Sequence, residues 1–461
     1  MKSHRETSTE IEPKEPCVGR FALSWQEGLG VRPKAKLPTV FAAALLTSII
    51  ALASVTGHAQ TVDELRQRLE AIEQQMQQLK EQVAEAERKA QQAERKSANA
   101  ARQVEADNDR PVKWHLSGYA QTGVEITDEA GRDDTFIAGT FNPVFHFQYK
   151  DIALFESELE LAANSDGGTD VELEYASIDL LLHDNLTFVA GKFLSPVGQF
   201  QERLHPAWIN RLPDAPAGFG HGGVAPRSEV GIMARGGVAF DPVTVNYALF
   251  GGNGPRVEFD DGELEGIELE GFGLDDNQNK AVGGRIGVLP LSYLEIGASF
   301  LTSKIDGDKE DGVAGDVSSG RFTLWGVDAA YTRGAWDVRA ELVSANLGSF
   351  FSQHESGAAS TEAVPETDWL AWYAQVAYKL SGLTDRPVLK NAELVGRYSD
   401  LDVDGFEHFI EHARPEHRWT LGLNYWFAPT LVGKVAVSLR DFSDGQSDDA
   451  TEVRFQLGYG F

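Results

Sequence analysis

The sequence has a single cysteine, Cys17, and that residue lies ahead of an apolar segment typical of export signals. A processed chain without cysteine forms no disulfide bonds and has no thiol for catalysis or metal binding. Basic residues are also scarce, with 41 Lys and Arg against 70 Asp and Glu and a formal net charge of −29. Because binding to phosphate backbones needs a basic surface, this charge argues against a general nucleic-acid role.

Long apolar runs are almost absent as well, and the exception is residues 37–55. The basic residues Arg32, Lys34 and Lys36 precede this run, and small residues end it at Ala59. This order predicts a signal peptide that is cleaved after Ala59, so residues 1–59 form an extended N-terminus and signal peptide. An uncleaved anchor is the alternative, since the run has about twenty residues.

A heptad pattern occupies residues 60–106, with polar residues and alanine between the seam positions. The seam consists of Val62, Leu65, Leu69, Ile72, Met76, Leu79, Val83, Ala86, Ala90, Ala93, Ser97 and Ala100. An apolar stripe of this kind in water needs a partner helix, so the pattern predicts a coiled coil that joins copies of the chain. The seam residues do not choose between a dimer and a trimer. A polar linker follows at residues 107–112.

Beyond the linker, apolar residues recur at every second position, as in strands with one face toward lipid and one toward water. The last segment shows this best, because Val453, Phe455, Leu457, Tyr459 and Phe461 alternate with polar residues and glycines. About sixteen such segments follow one another. They start near residues 114, 140, 152, 170, 186, 228, 243, 280, 292, 321, 335, 368, 389, 416, 430 and 450.

The connections between these segments alternate in length. The even-numbered connections are mostly tight, for example Lys150-Asp151, Asp241-Pro242 and Pro290-Leu291, whereas the odd-numbered ones are long and polar. Short turns at one end and long loops at the other are the topology of outer-membrane barrels. The sequence therefore predicts an all-β domain over residues 113–461, an antiparallel transmembrane β-barrel of about 16 strands. A signal peptide and an α-helical coiled coil precede it.

The alternation also assigns one face of each strand to the lumen. Glutamates concentrate on the third and fourth segments, and arginines occur on later ones. The predicted pore-lining and constriction residues are Glu156, Glu158, Glu160, Glu172, Glu174, Arg203, Arg211, Asp214, Arg235, Arg285, Arg339, Arg397, Arg418 and Arg454. Acids on one wall and arginines on the other would set up a field across the channel. Alternatively, the charges pair with each other and only make the lumen wettable.

The third odd-numbered connection, residues 194–227, differs from the others. It holds Pro196, Trp208, other prolines and several glycines, and it includes Arg203, Arg211 and Asp214. Such mixed and conformationally restricted chemistry predicts a loop that folds into the barrel and narrows it. An external loop is the alternative.

Three short motifs resemble those of the trimeric porins of Gram-negative bacteria. They are Ser117-Gly118-Tyr119, the run from Gly191 to Gly198 and the C-terminal Tyr459-Gly460-Phe461. Residues 113–461 are most similar to the phosphate-selective porin O and P family and to relatives with an N-terminal coiled coil. The resemblance implies a sixteen-stranded homotrimer whose third loop constricts each pore, with a C-terminal signal for the outer-membrane insertion machinery. Phosphate selectors have a dense basic ladder, whereas glutamates intrude here, so phosphate selectivity does not follow from the resemblance.

The expected function is therefore an outer-membrane porin for passive diffusion of small polar or anionic solutes, with its coiled coil in the periplasm. Expected partners are outer-membrane lipid, lipopolysaccharide, further copies of the chain, the insertion machinery and peptidoglycan. The alternative is an envelope structural protein, in which the coiled coil spans the periplasm toward peptidoglycan and the barrel is an anchor. The sequence has no P-loop, dinucleotide fingerprint or Gly-x-Ser-x-Gly elbow, so no enzymatic activity is expected.

One pattern indicates a metal. Asp400, Asp402, Asp404 and Glu411 have the spacing of an EF-hand calcium loop around Gly405. A predicted strand rather than a helix precedes this pattern, and an acidic solvated loop is the alternative. No other cofactor is expected.

Overall fold

The computed structural model describes residues 111–260, 263–269, 279–305, 320–353, 361–405, 414–443 and 449–461, together with part of the segment 70–95. The chain divides into two units, Met1–Pro111 and Val112–Phe461. The predicted signal peptide, the predicted linker up to residue 110 and most of the predicted coiled coil lie outside the described residues.

Every described residue within the segment 70–95 is helical and exposed. Lys89 and Glu85, one turn apart, form an ion pair at 2.7 Å, as neighbouring side chains on a helix face do. Met76, a seam residue of the predicted coiled coil, is 53% exposed. The helix agrees with the heptad period, and its association with other copies stays a prediction. Among the described residues, no helix has the length and apolar character needed to cross a membrane.

The second unit is a closed barrel of sixteen antiparallel strands. The strands, labelled β1–β16 in chain order, are Val112–Thr127, Thr140–Tyr149, Ala153–Ala163, Thr169–His183, Leu186–Leu194, Ser228–Phe240, Val243–Asn253, Lys280–Leu291, Leu294–Ile305, Gly320–Arg333, Trp336–Leu347, Thr367–Lys379, Ala392–Asp404, Glu416–Ala428, Leu431–Phe442 and Ala450–Gly460. Each strand begins within three residues of its predicted position, so the period-two pattern identified every wall strand.

The barrel closes where β1 pairs with β16, for example Tyr119 with Gly460. Past the end of β16, the N–H of Gly118 donates to Phe461 O over 3.1 Å and the N–H of Phe461 donates to Gly118 O over 2.9 Å. A Cβ on Gly118 would lie 2.3 Å from Asn142 O, so only glycine fits this seam. The C-terminal residue is thus part of the closing ladder.

Side chains of the wall alternate between an outward apolar face and an inward face of mixed polarity. Large apolar residues on the outward face are exposed, for instance 64% for Leu421 and 45% for Leu457, which suits contact with lipid. Examples are Ile232, Ile286, Leu394, Leu421 and Leu457. The glutamates and strand arginines that the alternation assigns to the lumen lie on the inward face, and the alternation fails at one residue of β4.

That residue is Tyr175, which the alternation places on the lipid face with Val171 and Leu173. This prediction is wrong, because a register shift between Glu158 and Leu159 inserts an extra residue into β4. A bulge of this kind reverses the alternation beyond it. Tyr175 consequently pairs with Glu158 and hydrogen bonds to its carboxylate.

The connections are mostly short at one end of the barrel, with the exception of residues 380–391, and mostly long at the other. At the short end, tight turns occupy residues 150–152, 184–185, 241–242, 292–293, 334–335 and 429–430. The predicted turn Pro290-Leu291 is instead the end of β8, one step before the actual turn. At the long end, two connections contain hairpins of their own, Arg256–Asp260 with Glu263–Glu268 and Phe350–Gln353 with Thr361–Val364.

Candidate pore and inward loop

Residues 195–227 connect β5 to β6 and lie inside the barrel; we call them the inward loop. The loop begins and ends at the same place, since the N–H of Ser195 donates to Arg227 O over 2.9 Å. Most of its residues are buried or half-buried, although it has little regular structure beyond the turn of π-helix Phe200–Leu204. The loop therefore occupies the lumen, as its composition indicated.

The first anchor of the inward loop is Glu341 on β11. The N–H groups of Gln199 and Phe200 donate to its Oε2 over 3.2 and 3.1 Å. The hydroxyl of Tyr373 donates to the same oxygen over 3.3 Å. Gly198 has a φ of +69°, and an added Cβ would lie 1.6 Å from Glu341 Oε1. Only glycine combines this backbone angle with so close an approach.

The second anchor is Asp214, in the middle of the loop. Its carboxylate lies 2.8 Å from Arg397 on β13 and 3.0 Å from Arg418 on β14. The same arginines donate to the backbone oxygens of Asp214 and Ala215, each over 3.1 Å. Burial alone would raise the pKa of Asp214, but the charges of Arg397 and Arg418 lower it to about 2. The carboxylate is therefore charged, and holds both arginines, at any ordinary pH.

A third set of contacts satisfies the loop backbone. Lys434 on β15 donates to Ala207 O over 2.5 Å and to the Gln456 side chain over 2.8 Å. The Asn424 amide donates to Arg211 O over 2.8 Å. Backbone carbonyls that are removed from water need such donors. These wall residues thus substitute for the water that would solvate an external loop.

Apolar packing completes the attachment. The ring of Phe219 lies 6.1 Å from that of Phe200 and 5.1 Å from that of Tyr373 between centroids. These rings belong to one buried cluster that joins the inward loop to the inner faces of β5–β7 and, more extensively, of β9–β13. Its wall members on β9–β13 are Leu301, Ile305, Phe322, Leu324, Val343, Ala345, Leu347, Trp369, Ala371, Tyr373 and Leu401. An apolar core of this size excludes water from that side of the lumen.

The two sides of the lumen consequently differ in their access to water. On the loop-filled side, the side chain of Arg397 is 0% exposed and that of Asp328 is 1% exposed. On the opposite side, the exposed fractions are 25% for Glu156, 28% for His146 and 37% for Arg235. The accessible charged side chains of the lumen therefore include groups on β2, β3 and β6, although Glu158 and Asp179 of the same wall are buried.

The predicted pore-lining arginines of the strands all lie on the inward face, and each is paired with a carboxylate. The pairs are Arg235–Asp179 at 2.5 Å, Arg285–Asp328 at 2.7 Å, Arg339–Asp337 at 2.8 Å, Arg397–Asp214 at 2.8 Å, Arg418–Asp214 at 3.0 Å and Arg454–Glu125 at 2.8 Å. In the inward loop, Arg203 pairs with Glu295 at 2.8 Å and Arg211 with Glu393 at 3.2 Å. These arginines therefore form pairs, and their role in permeation stays a prediction.

The predicted pore-lining glutamates also face inward, and they are Glu156, Glu158, Glu160, Glu172 and Glu174. Glu174 is buried and pairs with Arg227 of the inward loop. The Tyr119 hydroxyl donates to Glu158 over 2.8 Å, and the Asn142 amide donates to Glu160 over 3.0 Å. Neutral donors thus serve Glu158 and Glu160, whereas a cation serves Glu174.

His146 links three neighbouring strands in a way that the sequence did not reveal. Ser117 Oγ lies 3.1 Å from His146 Nε2, and His146 Nδ1 lies 2.8 Å from Glu156 Oε1. Serine, histidine and carboxylate also occur in this order in hydrolases, which in addition need free N–H donors for an oxyanion. The N–H next to Ser117, that of Gly118, donates to Phe461 O instead. We therefore assign this chain of hydrogen bonds to the polar lining. The sequence signal for this chain of hydrogen bonds is that Ser117, His146 and Glu156 all take inward positions at neighbouring registers of adjacent strands.

Three of the predicted calcium ligands, Asp400, Asp402 and Asp404, lie on β13, and Glu411 lies outside the described residues. A strand holds alternate side chains in a row, whereas an EF-hand loop curves around its ion. Asp400 accepts a contact from His417 Nδ1 at 2.5 Å. Calcium binding at this position stays a prediction.

A second group could hold a metal by distance alone, since ligand atoms of Glu160, Glu174 and His221 lie within 4.8 Å of one another. The guanidinium of Arg227 contacts both Glu174 and His221. Its positive charge opposes a cation at this position. We assign no metal site there.

Comparison with known proteins agrees with this geometry. Residues 309–459 match the family model described as phosphate-selective porin O and P, a stretch that includes β10–β16. The chain resembles the Gram-negative outer-membrane porins. No curated protein matches the sequence.

Similar solved structures include an anion-selective porin from Comamonas acidovorans, with 12% identity, 76% of this chain and 100% of that chain covered, and a TM-score of 0.49. The outer membrane channel DcaP of Acinetobacter baumannii has 14% identity, covers 77% of this chain and 98% of its own, and has a TM-score of 0.49. The trimer form of OmpT, an outer membrane protein of Vibrio cholerae, has 14% identity, with 76% of this chain and 100% of that chain covered and a TM-score of 0.48.

Proposed function

We propose that this porin-like chain forms a water-filled channel through which small polar solutes diffuse passively across the bacterial outer membrane. The observation that carries the proposal is the closed barrel, with an apolar outward face, charged residues inside and a loop that narrows the lumen. A closed wall has no edge strand with unpaired N–H and C=O groups, so its backbone hydrogen bonds are satisfied within lipid. The family match and the barrel fold together support a location in the outer membrane and a channel rather than an enzyme.

The assembly and its partners are part of the same proposal. The chain is a homotrimer: the heptad pattern of residues 60–106 supports association between copies, and the number three is consistent with the trimer form of one similar porin structure. The coiled coil lies in the periplasm and reaches toward peptidoglycan. Lipid surrounds the outward face, and lipopolysaccharide contacts the acidic long connections, where divalent ions could bridge carboxylates to phosphates. The terminal Phe461 serves recognition by the insertion machinery.

The test is conductance in planar lipid bilayers. Purified full-length protein is expected to give stepwise currents of uniform size, and three equal sublevels would mark a trimer. A matched control is the same detergent preparation after heat denaturation, which should give no steps. Membranes that stay silent at protein levels where gels show folded barrels would contradict the channel.

An envelope structural protein is the second candidate, and one observation favours it. The inward loop packs an apolar core against β9–β13 and fills that side of the lumen. A fully plugged barrel would serve only as an anchor for the coiled coil. The two functions differ in the bilayer, because an anchor stays silent in its native form and conducts only after its plug is loosened.

A further inference from the structure

The charges that face the open side of the lumen are unequal in sign. The six inward arginines of the strands contribute little net charge to the path, because each lies within 3.0 Å of a carboxylate. A close ion pair in the lumen acts on a passing solute as a dipole, whose field falls off faster than that of a single charge. The arginines therefore do not make an anion path of the kind that their number suggested.

The carboxylates of β3 and β4 differ in this respect. In the part of the chain that the structure describes, Glu156, Glu158, Glu160 and Glu172 have no Lys or Arg within the ion-pair distance of 4.0 Å, and only histidines approach Glu156 and Glu158. Their described partners are tyrosine, asparagine and histidine side chains. Three of them, Glu156, Glu160 and Glu172, are also partly accessible to water. We call the four glutamates the acid face. They lie on the side where the lumen is open.

Arg235 and Arg203 are exposed cations on the same side, and both are paired with carboxylates. Arg235 is paired with Asp179 at 2.5 Å, and Arg203 is paired with Glu295 at 2.8 Å. Glu202 lies between them, 3.5 Å from Arg203 and 3.9 Å from Arg235. With three carboxylates for two guanidinium groups, this part of the path adds no net positive charge.

We propose that the channel prefers cations, and that the acid face sets this preference; the inference rests on the proposed channel function. The solute class is small monovalent cations and protonated amines. Fixed carboxylates along a narrow path raise the local concentration of cations and lower that of chloride. The effect is largest at low salt, because the screening length is about 30 Å at 0.01 M and about 3 Å at 1 M.

The first experiment measures the reversal potential of the full-length protein in planar bilayers with a tenfold KCl gradient. The expected permeability ratio of potassium to chloride is above one, and it should decrease by about twofold or more in the variant E156Q/E160Q/E172Q. The matched control is D368N/D441N, which removes carboxylates from the outward face of β12 and β15. The control should keep the wild-type ratio.

A second measurement needs no variant. Spermine added to the wild-type channel at low salt should reduce its current, and citrate at the same concentration should not, because only the cation is drawn to the acid face. A wild-type ratio at or below one, or a stronger block by citrate, would overturn the inference while leaving the channel function intact. A cation preference that the triple variant retains would show that the acid face is not its source. Membranes with no current at all would instead overturn the channel function and this inference with it.

Discussion

The two sides of the lumen are built from the same alternating strands but differ in what covers their inner faces. Along β9–β15, the inward loop buries ion pairs and an apolar cluster, so wall and loop form a continuous interior. On β2, β3 and β6, the inner face keeps charged side chains such as His146, Glu156 and Arg235 in contact with water. The comparison shows that a strand pattern alone does not decide whether a lumen is a path or a core. The segment that lies against the strands decides it.

The Asp214→Ala substitution should have the largest effect on the difference between the two sides of the lumen. It leaves Arg397 and Arg418 buried without their carboxylate, and removal of one partner from such a pair costs about 3–5 kcal/mol. We expect the inward loop to detach and the current per channel to rise several-fold. Single-channel recordings measure this, with Asp385→Ala in the exposed connection 380–391 as the control. An unchanged current would mean that Asp214 does not hold the loop.

Acid tests the same anchor without a mutation. The pKa of Asp214 in the folded protein is about 2, below its ordinary value of 3.8. The pairing therefore contributes stability at pH values above about 3.8, and this stability is lost as the pH falls through about 2. We expect the current per channel to stay constant down to about pH 3 and to rise as the pH approaches 2. Loosening already near pH 4 would show that the arginines do not lower the pKa of Asp214.

The Gly198→Ala substitution should weaken the first anchor, Glu341, with a smaller effect. Its added methyl group would collide with the carboxylate of Glu341, and overpacking of this kind costs about 1–3 kcal/mol. We expect a lower unfolding temperature in gels and a modest rise in current. Gly131→Ala is the control, because Gly131 has a φ of +85° but nothing within 4 Å of the added Cβ. Equal effects of the two changes would assign the cost to backbone strain alone.

Deletion of residues 61–105 should affect the pore least. The barrel of Val112–Phe461 is a separate unit, so its conductance steps should keep their size. If the coiled coil holds the oligomer, unboiled gels should show trimers that dissociate at lower temperature. Equally heat-stable trimers would mean that barrel walls associate without the helices.

Much of the wall could be predicted because the alternating pattern of a strand is visible within its own segment of sequence. Alternation along Val453 to Phe461 identifies both the strand and its lipid face, and similar patterns gave the other strand starts within three residues. Tyr175 is the instructive failure, since a bulge depends on the partner strand and leaves no mark in its own sequence. The hairpins within the long connections were missed. In Arg256–Asp260 with Glu263–Glu268 the apolar residues lie among acidic ones, and the two strands of the other hairpin have only four residues each.

The candidate site was less predictable, because its chemistry depends on contacts between distant residues. The inward arginines could be placed on a face, but their partners could not be read from the sequence. Asp214 is the clearest case: nothing near it in the chain indicates Arg397 or Arg418. The choice between an external and an inward loop likewise depended on donors such as Lys434, which lie on strands formed from the far end of the chain.

The final strand, β16, has two tasks. It pairs with β1 to seal the wall, and from its inner face the Gln456 amide donates to Pro213 O of the inward loop over 3.4 Å. Gly458 of the same strand lies directly against Ala207, where an added Cβ would come within 3.2 Å of the carbonyl oxygen. Without β16, therefore, the barrel wall is open and the inward loop lacks its contacts with Gln456 and Gly458. The pairing of β16 with β1 therefore closes the barrel and completes the binding surface for the inward loop at the same time.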